Sequence, residues 1–288
     1  MESQKVLIAG LGLIGGSLCK ALRRYTPHTV YGYDLDGAVM EKAEADGSIA
    51  GVLTPEQFGT CDIVIVCLHP DATRSFLRVN MEHFAPDTLV TDVCGIKGAL
   101  VGEMTALAEQ HGAHYVGMHP MAGKERFGYA FSDGSLFLGA NCIVTPVPDT
   151  DGGALCQLEQ LIHALGFGRI IETTPAQHDA MIAYTSQLAH VVSSAYVKSP
   201  TLQTESGFSG GSFQDMTRIA TLNEDMWTSL FLENRECLLF EVNTLLSNLT
   251  TFRDALDEKD GARMRELLKE GRLLKEANLL AHNRDRRE

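Results

Sequence analysis

Apolar and polar positions divide the chain into two parts with different periodicities. In the first part, amphipathic stretches separate five short, nearly continuous apolar runs, at residues 5–10, 29–34, 62–68, 88–93 and 114–119. Such runs are typical of strands in a sheet covered on both faces, and helices between them predict right-handed βαβ units. Beyond them we predict a strand pair at 135–146, a helix at 153–166 and a strand at 168–173. The fold class expected from this pattern is a doubly wound parallel α/β sheet.

The periodicity changes after residue 173. The β-branched runs disappear and helical periodicity continues, interrupted by a segment rich in Ser and Gly at residues 199–215. We therefore predict two domains, an α/β domain at residues 1–173 and an all-helical domain at residues 174–288. A loop of this length inside a helical domain is usually functional or flexible.

Three glycines follow the first predicted strand and open the first predicted helix: Gly10, Gly12 and Gly15. This placement is typical of a dinucleotide site, where the glycines allow a tight turn, close approach of a pyrophosphate and close helix packing. The N-terminal amides of the helix, around Leu13 and Ile14, would then face the phosphate charge. The alternative interpretation is a glycine-rich turn that binds another nucleotide, or none.

Further cofactor contacts are expected where later strands end. Asp34 ends the second predicted strand, where a carboxylate accepts hydrogen bonds from an adenosine ribose and repels a 2′-phosphate. The cofactor predicted from this feature is NAD rather than NADP. Leu68 and Cys94, at the ends of the third and fourth strands, are also predicted to bind the cofactor.

His119 ends the fifth predicted run and stands directly before Pro120. Ligands bind at the carboxyl ends of strands in such sheets, and the proline favours an extended histidine backbone. An imidazole is a natural general base at neutral pH, and the small Ala122 and Gly123 would leave room for a ligand. The alternative is a histidine that caps the strand by bonding to backbone.

Composition narrows the class of protein. A formal net charge of −13 argues against a partner held through nucleic-acid phosphates. No apolar run reaches the length of about 18 residues that a membrane span needs, and the start MESQK shows no secretory signal, so we expect a cytoplasmic protein. The seven cysteines show neither C-x-x-C nor zinc spacing, so neither a disulfide framework nor a metal site is expected.

Five motifs then carry a resemblance. GLGLIGGSL, TDVCGIKG, GMHPMAGKE, YTSQLAH and GSFQDMTRIA occur in this order, and the chain resembles the prephenate dehydrogenase family of tyrosine biosynthesis over nearly its whole length. HPMAG followed by D-x-TRIA is the most specific part. The resemblance implies a Rossmann-type domain, a helical dimerisation domain that forms a homodimer, and NAD(P) as oxidant. It also implies oxidative decarboxylation of prephenate to 4-hydroxyphenylpyruvate, with arogenate as the alternative substrate.

The resemblance also implies roles for individual residues. His119 matches the catalytic histidine, which accepts the proton of the ring hydroxyl as a hydride leaves the same carbon. Arg218 matches an arginine that binds a substrate carboxylate; the alternative is a surface arginine paired with Asp215. His190 matches a second histidine on the substrate side, with Gln187 one turn earlier on the same face, and a core histidine is its alternative.

This chain departs from the family pattern in two places. Gly95 stands where many relatives have a serine that helps to hold the reacting hydroxyl, and Gln187 replaces a histidine found in some relatives. Cys94 is interpreted as a small thiol that lines the site, because hydride transfer needs no nucleophile. Lys124 and Glu125 are predicted to contact the substrate or form a gate, and a solvated loop pair is the alternative.

Two other functions stay open at this point. A dehydrogenase of the β-hydroxyacid type would rely on a lysine of the helical domain, but Lys198 lies in no matching motif. A non-catalytic NAD-sensing protein would not need His119 or Arg218. Trp227 is expected in the core or at a dimer interface, from which it and Gly211 would be able to reach a partner's active site.

Overall fold

Five parallel strands form the main sheet, in the order β2, β1, β3, β4, β5. The computed structural model describes residues 2–124 and 126–285. The strands are β1 (Lys5–Ala9), β2 (Thr29–Tyr33), β3 (Ile63–Val66), β4 (Leu89–Asp92) and β5 (His114–Tyr115). All residues of β3 and β4 are buried, as expected for strands that are covered on both faces. The predicted parallel sheet is therefore confirmed.

Helices cover both faces of this sheet. They are α1 (Leu13–Tyr25), α2 (Gly37–Ala45), α3 (Pro70–Asn80), α4 (Gly98–Gln110) and α5 (Gly152–Ala164). Side chains alternate along a strand, so Val6 and Ile8 of β1 enter one apolar core, whereas Leu7 and Ala9 enter the other. This two-sided burial explains why the strands are apolar at nearly every position.

The fifth apolar run is two strands rather than the single strand predicted. After β5, the backbone amide of Val116 still donates to Val90, and the chain then continues as β6 (Gly117–Pro120) in a second sheet. There β6 pairs antiparallel with β7 (Asn141–Thr145), which pairs parallel with β8 (Arg169–Glu172). His119 therefore lies opposite Ile143 in the smaller sheet, because the ladder with β7 replaces the ladder with β4.

The strand pair predicted at residues 135–146 is also wrong. Only β7 forms there, and turns occupy the residues before it, with backbone hydrogen bonds from Leu136 to Asp133 and from Leu138 to Ser135. Gly139 has a φ of 73°, in the left-handed region that interrupts a strand. The apolar side chains of this segment pack into the core from turns.

The described residues from 174 onward form helices and turns, which confirms the helical second part. The α-helices are α6 (Pro175–Ile182), α7 (Leu188–Tyr196), α8 (Gly211–Thr217), α9 (Glu224–Glu233), α10 (Arg235–Asp257) and α11 (Gly261–Asp285). A π-helical turn, Ala183–Gln187, joins α6 to α7. None of the helices described is both long and apolar enough to cross a membrane.

The chain divides into two compact units, residues 1–235 and residues 236–288. Helices α6 to α9 thus belong to the same compact unit as the two sheets. Thr174 caps the start of α6 by accepting from the amide of Gln177. The helical part therefore begins next to the domain boundary expected after residue 173, and that boundary stays a prediction.

Candidate active site

The turn between β1 and α1 has the geometry that a dinucleotide requires. Gly10 has a φ of 92°, and a Cβ on Gly15 would lie 1.8 Å from the carbonyl oxygen of Gly10. No atom lies within 4 Å of the place where a Cβ on Gly12 would stand. Gly12 precedes α1 without a side-chain cap, so the first amides of the helix, those of Leu13 and Ile14, have no partner inside it. A pyrophosphate fits this turn as an acceptor for them.

Asp34 lies directly beside this turn. Its Oδ2 accepts from the backbone amide of Leu11 at 2.6 Å, and its Oδ1 accepts from the amide of Asp36 at 3.0 Å. An ionised carboxylate has about four acceptor sites, so these bonds leave capacity for ribose hydroxyls. Asp34 thus holds the glycine turn, and its role toward a ribose stays a prediction.

The ends of β3 and β4 approach the same turn. The Leu68 side chain lies 2.7 Å from the position of a Cβ on Gly10, and the Cys94 thiol lies 3.4 Å from both the Leu68 carbonyl oxygen and Thr73 Oγ1. Burial raises the pKa of the Cys94 thiol, so the sulfur stays protonated. This protonated state agrees with a lining residue and not with a nucleophile.

His119 is the end of a chain of hydrogen bonds that begins at α4. Its Nδ1 lies 2.9 Å from Nε2 of His178, whose Nδ1 lies 2.7 Å from Oδ1 of Asp179. Asp179 in turn accepts from the backbone amides of Lys97 at 2.8 Å and Gly98 at 2.7 Å. Sequence reasoning missed both His178 and Asp179, and their only signal was an adjacent His-Asp pair in a helical segment.

The surroundings of His119 keep its imidazole neutral. Burial lowers its pKa well below the ordinary value, and positive charge on His178 or Lys97 would lower it further. A Cβ added at Gly95 would lie 3.8 Å from Nε2 of His119, in ordinary contact. The glycine that replaces the expected serine therefore leaves a small space beside this nitrogen. A neutral imidazole with Nε2 at this space is able to accept a proton.

A buried ion pair supports the loop between β4 and α4. Lys97 Nζ lies 2.6 Å from Asp92 Oδ1, and both side chains are fully buried. Asp92 also accepts from the Tyr115 hydroxyl at 2.5 Å and from the Cys94 amide at 2.7 Å. Sequence reasoning missed this network, whose signal was a carboxylate at the end of a strand with no other charged residue. It fixes the loop that carries Gly95.

Gln187 is not placed at an open surface. Its side chain is buried, and it donates to the Leu230 carbonyl oxygen at 3.0 Å and accepts from Asn234 at 2.8 Å. Asn234 also donates to the Asp179 carbonyl oxygen at 2.9 Å. The structure therefore does not bring Gln187 to the cavity described next, and its amide joins α9 to the π-helical turn behind the histidine pair.

A cavity of about 520 Å³ lies beside the loop that follows β6. Its lining residues are Gly123, Lys124, Arg126, His190 and Ile219. Its volume is ordinary for a small-molecule site. The cavity brings together the HPMAGKE, YTSQLAH and TRIA motifs, although His119 is not among its lining residues.

The remaining predicted residues lie around this cavity. Arg218 is exposed and adjoins Ile219 in a short helical turn after α8, and Lys124 Nζ lies 3.2 Å from Asp133 Oδ2. Sequence reasoning missed Arg126, whose guanidinium lies 5.3 Å from the centre of the Phe131 ring. Glu125 lies outside the described residues.

One wall of the cavity is fixed by an aromatic stack. The His190 and Trp227 ring centres are 3.7 Å apart, and His190 Nδ1 donates to the Ser186 carbonyl oxygen at 3.0 Å. The ring of His190 is thus held at two places, and Trp227 supports it within one chain. Gly211 begins α8 and is exposed.

A glycine turn for a dinucleotide, a neutral histidine near the strand ends and a cavity with cationic residues define a dehydrogenase-type site. Residues 18–172 match the family model of the prephenate dehydrogenase nucleotide-binding domain, and residues 174–270 match that of the prephenate dehydrogenase dimerization domain. The chain therefore belongs to the prephenate dehydrogenase family, and it is an oxidoreductase.

Individual relatives agree with this family. The chain is 29% identical to prephenate dehydrogenase of Bacillus subtilis, over 88% of this chain and 71% of that protein. It is also 29% identical to cyclohexadienyl dehydrogenase of Zymomonas mobilis, over 92% of each. Prephenate dehydrogenase of Aquifex aeolicus, in complex with hydroxyphenyl propionate and NAD+, has a TM-score of 0.85 and 28% identity, covering 96% of this chain and 99% of that one.

These matches confirm the predicted family and fold class. The expectation of NAD as the cofactor agrees with the nucleotide-binding domain and with the NAD+ in the Aquifex aeolicus complex.

Proposed function

We propose that the protein oxidises prephenate to 4-hydroxyphenylpyruvate and carbon dioxide, with NAD as the oxidant and His119 as the general base. The observation that carries this proposal is the position of His119, hydrogen-bonded through Nδ1, with Nε2 beside the space at Gly95. Burial, which lowers the pKa of His119, favours the neutral imidazole that a base must be. Family membership and the names of the relatives support the substrate class. NAD, when bound, supplies the acceptor for the hydride.

The role of His119 in this reaction is to accept one proton. Nε2 accepts the proton of the ring hydroxyl while the carbon that bears this hydroxyl loses a hydride to NAD. Loss of the carboxyl group as carbon dioxide then leaves an aromatic phenolate, which takes the proton back from Nε2 and becomes the hydroxyl of the product. A neutral imidazole is required at the start, and burial of His119 provides it at neutral pH. In this protein the reacting hydroxyl has no serine beside it at position 95.

The charge of the substrate suits the cavity. Prephenate carries two carboxylates, and the residues around the cavity include Lys124, Arg126 and Arg218. The planar guanidinium of an arginine suits a bidentate bond to a carboxylate, and we assign that contact to Arg218. His190, held by Ser186 and Trp227, would present a fixed edge to the substrate. Gln187 would support the site from behind.

The test is spectrophotometric. Purified protein with prephenate and NAD should give a rise in absorbance at the wavelength of reduced nicotinamide, and parallel assays use arogenate and NADP. His119→Ala should abolish turnover and leave NAD affinity unchanged, whereas His163→Ala on the exposed side of α5 should match the unchanged protein. A family enzyme that prefers arogenate would show the rise with that substrate instead. No rise with either substrate, or full activity in His119→Ala, contradicts the proposal.

We also propose a homodimer formed through the helical part. Large apolar side chains are exposed on both helices of the second compact unit; they are Leu239, Phe240, Leu246, Leu249 and Leu256 on α10, and Leu268, Leu273, Leu274, Leu279 and Leu280 on α11. Apolar surface of this extent is typical of an interface, and this part of the chain matches a dimerization domain up to residue 270. Light scattering should report twice the chain mass, and Leu246→Glu should lower it.

A further inference from the structure

We propose that His178 and Asp179 are positioning residues for His119: they hold its ring in the tautomer whose Nε2 carries no proton, and they balance the charge that forms there. The inference rests on the proposed function for the identity of the base, but its geometry stands independently. The three side chains form an unbroken chain of hydrogen bonds of 2.9 Å and 2.7 Å. His178 and Asp179 are 1% and 7% exposed, so water has little access to replace either group.

The direction of the hydrogen bonds follows from what each group is able to donate. An ionised Asp179 only accepts, so His178 must carry its proton on Nδ1. The Nε2 of a neutral His178 then accepts, so His119 must donate from its own Nδ1. His119 Nε2 is left without a proton, and it lies on the side of Gly95. The carboxylate thus determines the tautomer of a histidine one ring away.

Asp179 is itself held in place by the start of α4. Two backbone amides at the start of α4, those of Lys97 and Gly98, donate to its two oxygens at 2.8 Å and 2.7 Å. Backbone amides only donate, so both oxygens of Asp179 are acceptors toward α4, and Oδ1 is an acceptor toward His178 as well. A Cβ on Gly98 would lie 2.7 Å from Asp179 Oδ2, so this close approach requires glycine.

The Asp179 carboxylate also balances the positive charge that forms on His119 during the reaction. When the substrate O–H bond breaks and an N–H bond forms at Nε2, His119 becomes a cation near Lys97, whose own charge is already paired with Asp92. Asp179 is the anion connected to His119 through hydrogen bonds. It therefore stabilises the protonated imidazole pair, while the substrate proton itself need move no further than His119.

Asp179→Asn tests the charge of the carboxylate. Oδ1 of Asp179 accepts both from His178 and from the Lys97 amide, so the asparagine oxygen should take its place and keep the direction of the hydrogen bonds, while the negative charge is lost. We expect kcat to fall by roughly 10- to 100-fold, as for other carboxylates hydrogen-bonded to an active group, with NAD affinity unchanged. Nitrogen chemical shifts of the imidazole, assigned by loss of the signal in His119→Asn, should show the Nδ1–H tautomer of His119 in the unchanged protein and in Asp179→Asn.

Two variants at His178 test the tautomer even if substitution of Asp179 impairs folding. His178→Gln retains an acceptor at the place of Nε2, whereas His178→Leu removes it, so the glutamine variant should keep more activity and the Nδ1–H tautomer of His119. The proposal is overturned if His119 has the Nε2–H tautomer in the unchanged protein, if it keeps the Nδ1–H tautomer alone in His178→Leu, or if Asp179→Asn retains full kcat. Failure of the proposed function would appear separately, as absent prephenate oxidation in the unchanged protein, and would leave the tautomer measurement intact.

Discussion

Replacing Lys97 by methionine tests the buried ion pair beneath the histidine. The substitution keeps the length of the side chain and removes the ammonium that lies 2.6 Å from Asp92. Removing one partner of a buried pair costs about 3–5 kcal/mol of unfolding free energy, because the other charge stays buried. Asp92 keeps its bonds from Tyr115 and the Cys94 amide, so we expect the lower end of that range.

Urea unfolding measures this loss. With an m-value of about 3 kcal/mol/M, a loss of about 3 kcal/mol lowers the midpoint by about 1 M. Lys269→Met is the matched control, because Lys269 forms an exposed ion pair with Glu266 in α11, worth about 1 kcal/mol at most. Equal midpoints for the two variants would refute the argument that the Asp92 charge depends on Lys97.

The same variant has a second, independent effect on catalysis. The Lys97 ammonium contributes to lowering the pKa of His119, after burial and His178. Its removal therefore raises that pKa, and the acidic limb of the kcat/KM profile should move to higher pH. Burial remains, so the pKa should stay below the ordinary value. An acidic limb that does not move would show that Lys97 acts on the loop and not on the base.

Three further predictions follow from single contacts. Gly15→Ala places a Cβ 1.8 Å from the Gly10 carbonyl oxygen, so α1 must shift. We expect a loss of about 1–3 kcal/mol in the free energy of unfolding, and weaker NAD binding by calorimetry. Unchanged NAD affinity would contradict this. Gly95→Ser places its Cβ 3.8 Å from His119 Nε2, which is ordinary contact without strain. The serine hydroxyl should bind the reacting hydroxyl of prephenate and lower KM by up to about tenfold. A raised KM would exclude this space as the place of the substrate hydroxyl. The pKa of His119 in the folded protein lies below the unfolded value of about 6.5, so the unfolded chain binds an extra proton as the pH falls below that value. The free energy of unfolding should therefore decline on acidification, and it should decline less in His119→Gln. Urea midpoints at several pH values measure both.

Local patterns in the sequence were enough to predict much of the fold and part of the candidate site. Apolar residues at nearly every position of β1 and β3 are enough to predict a sheet covered on both faces, since the side chains that point to either face must be buried. The order of strand, glycines and helix places the turn at Gly10 without any knowledge of distant contacts. The motif around His119 likewise predicts a candidate base, because the relevant residues are neighbours along the chain.

Only the tertiary structure decided how that base is held. His119 and His178 are 59 residues apart in sequence, and Gln187 and Asn234 are 47 apart, so no periodicity relates them. The break of the fifth run at Val116 likewise depends on β7, a partner strand that begins at Asn141. Hydrogen bonds between distant segments form only when packing brings those segments together. Local periodicity therefore predicts the helices and strands, but not the hydrogen bonds that join His119 to His178 and Asp179.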